Sequence, residues 1–338
     1  MLSSPEPLAV RDAGAGSVAV PAVPRGGGWR IIAVKELSDH LNSVRFLLLT
    51  IGLGLAAVAS VAAASGGIRG VAPGASGVPA IFLKLFTISS DNLPALVEWI
   101  AFLGPLLGIA FGFDAVNNER TERTLPRLLS GPIWRDDVIN GKFAGALAAI
   151  GLILAAIVVV VAGVGVVQLG VVPQPEDLLR LLIWYGVAVV YIGFWLALAT
   201  LCSVILRRAA GSALAALSVW LITAVFSTFL IGSVAGMVAP LPADATFDQQ
   251  LANANMQQNL RHLIPGNVFA ESAQAILDPS VRTTGIVVST QVDRAVPSTL
   301  SFDQSLLVIW GQVAALVAMT AVCFALAYVA FMRQEVRA

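Results

Sequence analysis

Charge is scarce in this chain. Only 12% of its 338 residues are Asp, Glu, Lys or Arg, against 57% hydrophobic residues and a mean hydropathy of +0.85. A soluble globular domain needs more polar surface than that, so the composition indicates an all-α polytopic membrane protein. The 20 basic and 20 acidic residues balance, leaving no excess that would hold nucleic acid. Cysteine is nearly missing. Cys202 and Cys323 lie far apart in apolar runs and read as small packing residues, with no disulfide or thiolate-metal pattern. His40 and His262 also stand alone, and no His/Cys/Asp/Glu cluster has metal-ligand spacing.

Six runs are long enough to cross a hydrocarbon layer of roughly 30 Å at about 1.5 Å per helical residue. They are Phe46–Ala64, Pro94–Phe113, Phe143–Val167, Leu181–Leu206, Ala209–Val238 and Leu306–Met332. Continuous Gly- and Ala-rich runs without alternation exclude a barrel and require helices. The run Val78–Thr87 is too short to span and contains Lys84, so it reads as interfacial or re-entrant.

The spans are almost empty of ionisable groups. Glu98 stands near the outer end of the second, facing water, and Asp114 at its inner end. Ion-coupled carriers use buried carboxylates or broken helices as ion sites, so ion coupling is disfavoured. Nor does the chain carry a nucleotide site. Gly141-Lys142 resembles the end of a phosphate loop, but Asp136 stands five residues earlier and Phe143 follows, so the loop pattern fails twice. No inner segment is long enough for an ATPase domain. The expectation is a chain without cofactor or catalytic site of its own, energised by another subunit.

Fourteen of the twenty basic residues fall on the side that holds both termini, which makes that side cytoplasmic. The tail, residues 1–28, is rich in Pro, Gly and Ala; it is expected to be disordered and lacks a signal-peptide pattern. From Trp29, apolar Val34, Leu37, Leu41 and Val44 recur at helical spacing, with Lys35, Glu36, Ser38, Asp39 and Asn42 opposite. This predicts an amphipathic helix on the inner membrane surface. Residues 29–338 are expected to form one transmembrane domain. On the outer side, residues 239–305 form the largest loop, beginning with a polar helix over FDQQLANANMQQNLRHL and continuing through Pro265, Gly266, Pro279 and Pro297. It is too small for an independent core.

Asp114–Phe143 is an island of charge between two apolar spans, with four arginines and a lysine. A plain turn needs only a few residues, so something protein-like is expected to dock there. Within it Asp114, Glu119-Arg120, Thr124-Leu125, Leu128-Leu129-Ser130, Pro132, Arg135 and Gly141-Lys142 stand at telling spacings. Lys35-Glu36-Leu37, Leu93-Pro94 and Phe331-Met332-Arg333-Gln334-Glu335 add to the pattern. Together they resemble the type-2 ABC-transporter permeases, and the branch linked to copper-enzyme maturation in particular. One position departs from that pattern: Arg123 stands where the family commonly has Gly.

The resemblance implies a multi-pass permease of a prokaryotic cytoplasmic (inner) membrane, paired with a second copy or paralogue. Each half would sit in lipid above a cytoplasmic ABC ATPase subunit that holds ATP and Mg. It implies a coupling helix within Asn117–Ser130, stopped by Ser130-Gly131-Pro132. Glu119 and Glu122 suit its positive end, and Arg120, Arg123 and Arg127 form a basic stripe. The coupling residues implied are Asp114, Glu119, Arg120, Glu122, Arg123, Thr124, Leu125, Arg127, Ser130, Arg135 and Lys142. A solvated basic face obeying the positive-inside rule is the plainer reading of the same stripe.

In the second span Gly104, Gly108 and Gly112 recur every four residues, giving a ridge for close helix approach, and Pro105 bends the helix beside it. The function expected is an ATP-driven exporter, with Gln312, Tyr185 and Tyr191 in an apolar interior suiting a hydrophobic or amphipathic cargo. The alternative is a mechanotransmitting complex that acts on an extracytoplasmic partner at Ala239–Ser305 without moving cargo. A membrane-embedded enzyme would need polar catalytic groups that the spans do not supply.

Overall fold

A computed structural model describes residues 27–69, 80–90, 93–121, 134–170, 172–242, 244–281 and 300–334. Among these residues there are twelve helices and no strand: α1 (Gly28–Leu41), α2 (Val44–Arg69), α3 (Lys84–Thr87), α4 (Leu96–Gly112), α5 (Asn117–Thr121), α6 (Arg135–Leu169), α7 (Pro175–Ile205), α8 (Ala209–Val225), α9 (Ser227–Val238), α10 (Phe247–Arg261), α11 (Pro265–Leu277) and α12 (Phe302–Arg333). The helix starts follow local chemistry. Glu98 accepts from Ala95 N–H at 2.9 Å at the head of α4, and Asp177 accepts from Gln174 N–H at 3.0 Å at the head of α7. Gly170, with φ 67°, closes α6 in the left-handed conformation that glycine tolerates best.

Five stretches are long and apolar enough to cross a membrane, carried by α2, α4, α6, α7 and α12. A sixth is the bent pair α8 and α9, whose axes differ by 68°. The sequence reading treats Ala209–Val238 as one straight run. The break comes at Phe226, where φ −98° and ψ 3° leave the helical range and Ser227 starts a new helix. Hydropathy cannot register such a break, because both halves are equally apolar.

Helix α7 is the axis of the bundle. Trp184, Tyr191 and Trp195 on it are almost fully buried, and α4, α6, α8, α11 and α12 all pack against it. The glycine ridge of α4 lies along it. A Cβ at Gly108 would stand 2.6 Å from the Ile192 carbonyl oxygen, and one at Gly112 2.7 Å from that of Leu196. Gly104 faces the Ile192 side chain, and Pro105 is buried within a continuous α4.

The described part of the short run before α4 turns inward. Phe82, Leu83, Leu85 and Phe86 are fully buried among α2, α4, α6 and α11. Helix α11 is strongly amphipathic and places Val268, Phe269, Ala273 and Ile276 in the same core. The Phe269 ring stacks on Tyr191 at 4.5 Å. Arg180, at 1% exposure, fastens the far end of α11. Its guanidinium donates to the carbonyls of Ile276 and Leu300, to Ser305 Oγ and to Glu176 Oε1, all at 2.8–3.0 Å. Its five donors are consumed by groups on α7, α11 and α12 and by the Leu300 carbonyl, two residues before α12.

Helix α1 also differs in detail. Val34 and Leu41 are exposed, and Ile31 joins them, but Leu37 packs against the main core and Val44 already belongs to α2, so the expected four-residue stripe does not lie on one helix face. The opposite face is not merely polar, because Ile32 is buried and Glu36 turns inward against α6.

Candidate functional site

The charged island begins where α4 ends, at the same end of the bundle as α1 and the last turn of α12. Two glycines of α6 allow α1 to approach. A Cβ at Gly141 would meet Ile32 Cβ at 2.6 Å and Trp29 O at 2.7 Å, and one at Gly145 would meet Ala33 O at 2.7 Å. That contact brings Glu36 over Lys142. The ammonium of Lys142 lies 2.9 Å from Glu36 Oε1 and 2.8 Å from Glu119 Oε1. The three side chains are only 10–14% exposed. One buried cation thus joins α1, α5 and α6, and opposite charge on both sides offsets its desolvation.

Further ties surround this triad. Asp114 accepts from Arg45 Nη1 at 2.6 Å, linking the end of α4 to the start of α2. The Arg45 guanidinium also lies 5.0 Å from the Phe113 ring centre. The buried hydroxyl of Ser203 accepts from the N–H groups of Val116 and Asn117 at 3.1 and 3.2 Å, holding the turn before α5 to α7. Asp137 accepts from Trp29 N–H at 3.2 Å. Arg135 donates to the Gln334 carbonyl at 3.1 Å, and Gln334 donates to the Val204 carbonyl at 2.6 Å. A small apolar core of Ile32, Val116, Val138, Ile139, Val204, Ala327 and Phe331 lies beneath these bonds.

Of the residues that the sequence singles out, Asp114, Glu119, Arg135 and Lys142 meet here, together with the Lys35-Glu36-Leu37 and Phe331–Gln334 segments. Glu119 and Lys142 point into the protein, not outward. Helix α5, Asn117–Thr121, is the described part of the expected Asn117–Ser130 helix. Glu122, Arg123, Thr124, Leu125, Arg127 and Ser130, with the side chain of Arg120, lie outside the described residues. Sequence reasoning misses Glu36 as the second partner of Lys142, and it misses Ser203, Asp137 and Gln334 as fasteners. The triad's spacing, 36 with 119 and 142, has no local signature; only the glycines at 141 and 145 hint that a helix comes close.

His40 sits nearby, with its ring 4.7 Å from that of Phe111. Burial lowers its pKa, because desolvation disfavours the imidazolium. Among the described residues there is no group of three or more His, Cys, Asp or Glu arranged to hold a metal.

A helical bundle with up to six crossings, bonded at one end by a buried Glu–Lys–Glu triad, is a multi-pass membrane protein. The family model described as "ABC-2 family transporter protein" matches residues 30–336, so this chain belongs to that family of ABC transporter permeases. It is 30% identical over 156 residues to "Probable ABC transporter permease protein NosY" of Stutzerimonas stutzeri, which covers 46% of this chain and 50% of that one. It is 32% identical over 131 residues to the protein of the same name in Pseudomonas aeruginosa, covering 37% and 39% of the two chains. The matches thus span no more than half the length of these curated relatives.

Proposed function

We propose that this chain is the membrane-spanning subunit of an ATP-driven exporter, worked by a separate cytoplasmic ATPase that docks on the 117–133 connection. The observation that carries this reading is the Glu36–Lys142–Glu119 triad with its surrounding ties. A connection rooted in α1, α6, α7 and the end of α12 passes a push to the bundle rather than absorbing it. Glu119, Lys142, Asp114 and Arg135 then act as the root of the lever. Contact with the ATPase falls to the basic stripe of Arg120, Arg123 and Arg127.

In this reading both termini are cytoplasmic, residues 1–28 are a tail, residues 29–338 form one permease domain, and residues 239–305 lie outside. A second copy or paralogue completes the transport path. ATP and Mg reside on the ATPase, and this chain binds neither. Gly104, Gly108 and Gly112 provide a smooth face on which α4 slides against α7, with Pro105 as the bend.

A second reading is favoured by Arg180. Its clamp joins α11 to α7 and α12, so the outer segment moves with the spans, as a mechanotransmitter acting on an extracytoplasmic partner would need. Reconstitution with the ATPase separates the two. Export predicts ATP-dependent solute movement that Arg123→Glu/Arg127→Glu abolishes. Steady ATP turnover that depends on an outer partner, with no solute moved, favours the second.

A further inference from the structure

Three exposed arginines converge at one corner of the triad end of the bundle, where α7 and α12 stop and α8 starts. The link between α7 and α8 is only Leu206–Arg208, so Arg207 and Arg208 make up most of it. The end of α12 is tied to this link. Gln334 donates to the Val204 carbonyl at 2.6 Å, and Arg333 immediately precedes it. None of the three guanidinium groups makes an ion pair or a hydrogen bond among the described residues. Asp136 and Asp137, the carboxylates at the nearby head of α6, pair with none of them, and Glu335 lies outside the described residues. The first turn of α8 begins beside Arg208 with no side chain capping it, and a Cβ at Gly211 would meet nothing within 4 Å. Its free backbone N–H groups add positive potential to the same open corner.

The depth of the corner decides what meets this charge. Leu326, Val329 and Arg333 follow one another at spacings of three and four on one face of α12, and the two apolar residues are 54% and 44% exposed. On α7, Ile205 is 61% exposed one residue before the link. Both helices are long and apolar enough to cross the membrane, so these side chains meet lipid tails. A link of three residues, at roughly 3.5 Å each, cannot carry Arg207 and Arg208 away from that boundary. The guanidinium groups therefore stand among lipid headgroups, whose phosphate oxygens accept from them in paired hydrogen bonds. In a zwitterionic lipid the phosphate is already offset by its own ammonium. An anionic lipid leaves it available, and a headgroup with two phosphates can engage more than one arginine.

We infer that this corner is a binding site for an anionic phospholipid, with Arg207, Arg208 and Arg333 holding the headgroup and Ile205, Leu326 and Val329 facing its chains. Loop composition alone asks only for a number of basic residues on one side, not for their convergence without carboxylate partners above an exposed apolar stripe. The inference is independent of the ATPase reading.

The test titrates the purified, delipidated full chain in detergent with cardiolipin, a lipid with two phosphates, and reads bound lipid by native mass spectrometry. Phosphatidylcholine with the same acyl chains is the zwitterionic control, and inorganic pyrophosphate is the soluble one. The expected result is cardiolipin held about tenfold or more tightly than phosphatidylcholine, without displacement by pyrophosphate. Arg207→Gln/Arg208→Gln weakens cardiolipin by about tenfold or more, at roughly fivefold for each cation near a membrane surface. Phosphatidylcholine binding and thermal unfolding stay unchanged in that variant. Arg30→Gln/Lys35→Gln removes the same charge from α1 and leaves cardiolipin affinity as it was. Four outcomes overturn the inference. They are cardiolipin bound no better than phosphatidylcholine, displacement by pyrophosphate (a site for free phosphate), equal weakening in both double variants (diffuse surface charge), and cardiolipin affinity unaltered by Arg207→Gln/Arg208→Gln, which leaves these arginines to a protein partner.

Discussion

The ammonium of Lys142 lies 2.8 Å from Oε1 of Glu119, and this pair fixes the start of the charged connection to the base of α6. Because Glu36 shares the same cation at 2.9 Å, removing Lys142 takes the nearest cation from two carboxylates in a poorly solvated place and leaves Glu36 with the more distant Lys35 at 3.7 Å. Lys142→Met is therefore expected to cost about 3–5 kcal/mol, the range for breaking a buried ion pair on one side. Thermal unfolding in detergent reads this directly. A triple variant that also carries Glu36→Gln and Glu119→Gln recovers much of the loss, since no buried charge is left unpaired. If Lys142→Met alone unfolds like wild type, the triad is not buried as described.

A side chain at Gly108 has nowhere to go. Backbone atoms of Ile192 and Leu196 stand 2.6 and 2.9 Å from its Cβ position, and backbone yields less readily than a side-chain tip. Gly108→Val is expected to force α4 away from α7 at about 1–3 kcal/mol, the usual cost of overpacking. Gly52 of α2 meets nothing within 4 Å, so Gly52→Ala serves as the neutral control in the same unfolding assay.

Arg180 gives a local rather than a global prediction. In Arg180→Met the carbonyls of Ile276 and Leu300 lose their donor, while Glu176, half-exposed, is simply hydrated. The expected loss is about 1–3 kcal/mol per orphaned buried acceptor. Amide exchange should rise over α11 and the first turn of α12, with α1 and α6 unaffected. Uniform exchange across the whole chain would show that Arg180 does not fasten α11 in particular.

The acid limb of stability carries a contribution from His40. Its folded-state pKa lies below the ordinary 6.5, so the folded state prefers the neutral ring. The resulting stability is complete above the unfolded pKa and is lost as pH falls through the depressed folded value. His40→Phe removes that dependence. Unfolding temperatures of wild type and variant are expected to diverge as pH is lowered from 7, with the variant the less acid-sensitive. Parallel pH profiles would place the His40 ring in water.

Much of this architecture is legible in the sequence, for a physical reason. A membrane interior tolerates only long apolar helices, so α2, α4, α6, α7 and α12 announce themselves by hydropathy alone. That the short run before α4 does not cross is legible too, because it is only ten residues long and contains Lys84. What escapes is pairing. Nothing local to Glu36 tells it apart from Lys35 or Asp39, yet Glu36 turns inward while Lys35 and Asp39 pair on the surface at 2.8 Å. Arg180 likewise looks like a loop cation until α11 and α12 converge on it. The break at Phe226 is a matter of backbone angles between equally apolar halves, invisible to any scale of residue hydrophobicity.

The most direct test of the account measures solute export and ATP turnover together, in proteoliposomes that hold this chain, its ATPase and no ion gradient. The account predicts transport that needs the ATPase, with both activities falling together in Arg123→Glu/Arg127→Glu while the folded permease stays intact. Export by the chain alone on an imposed proton or sodium gradient, with the ATPase omitted, would contradict it.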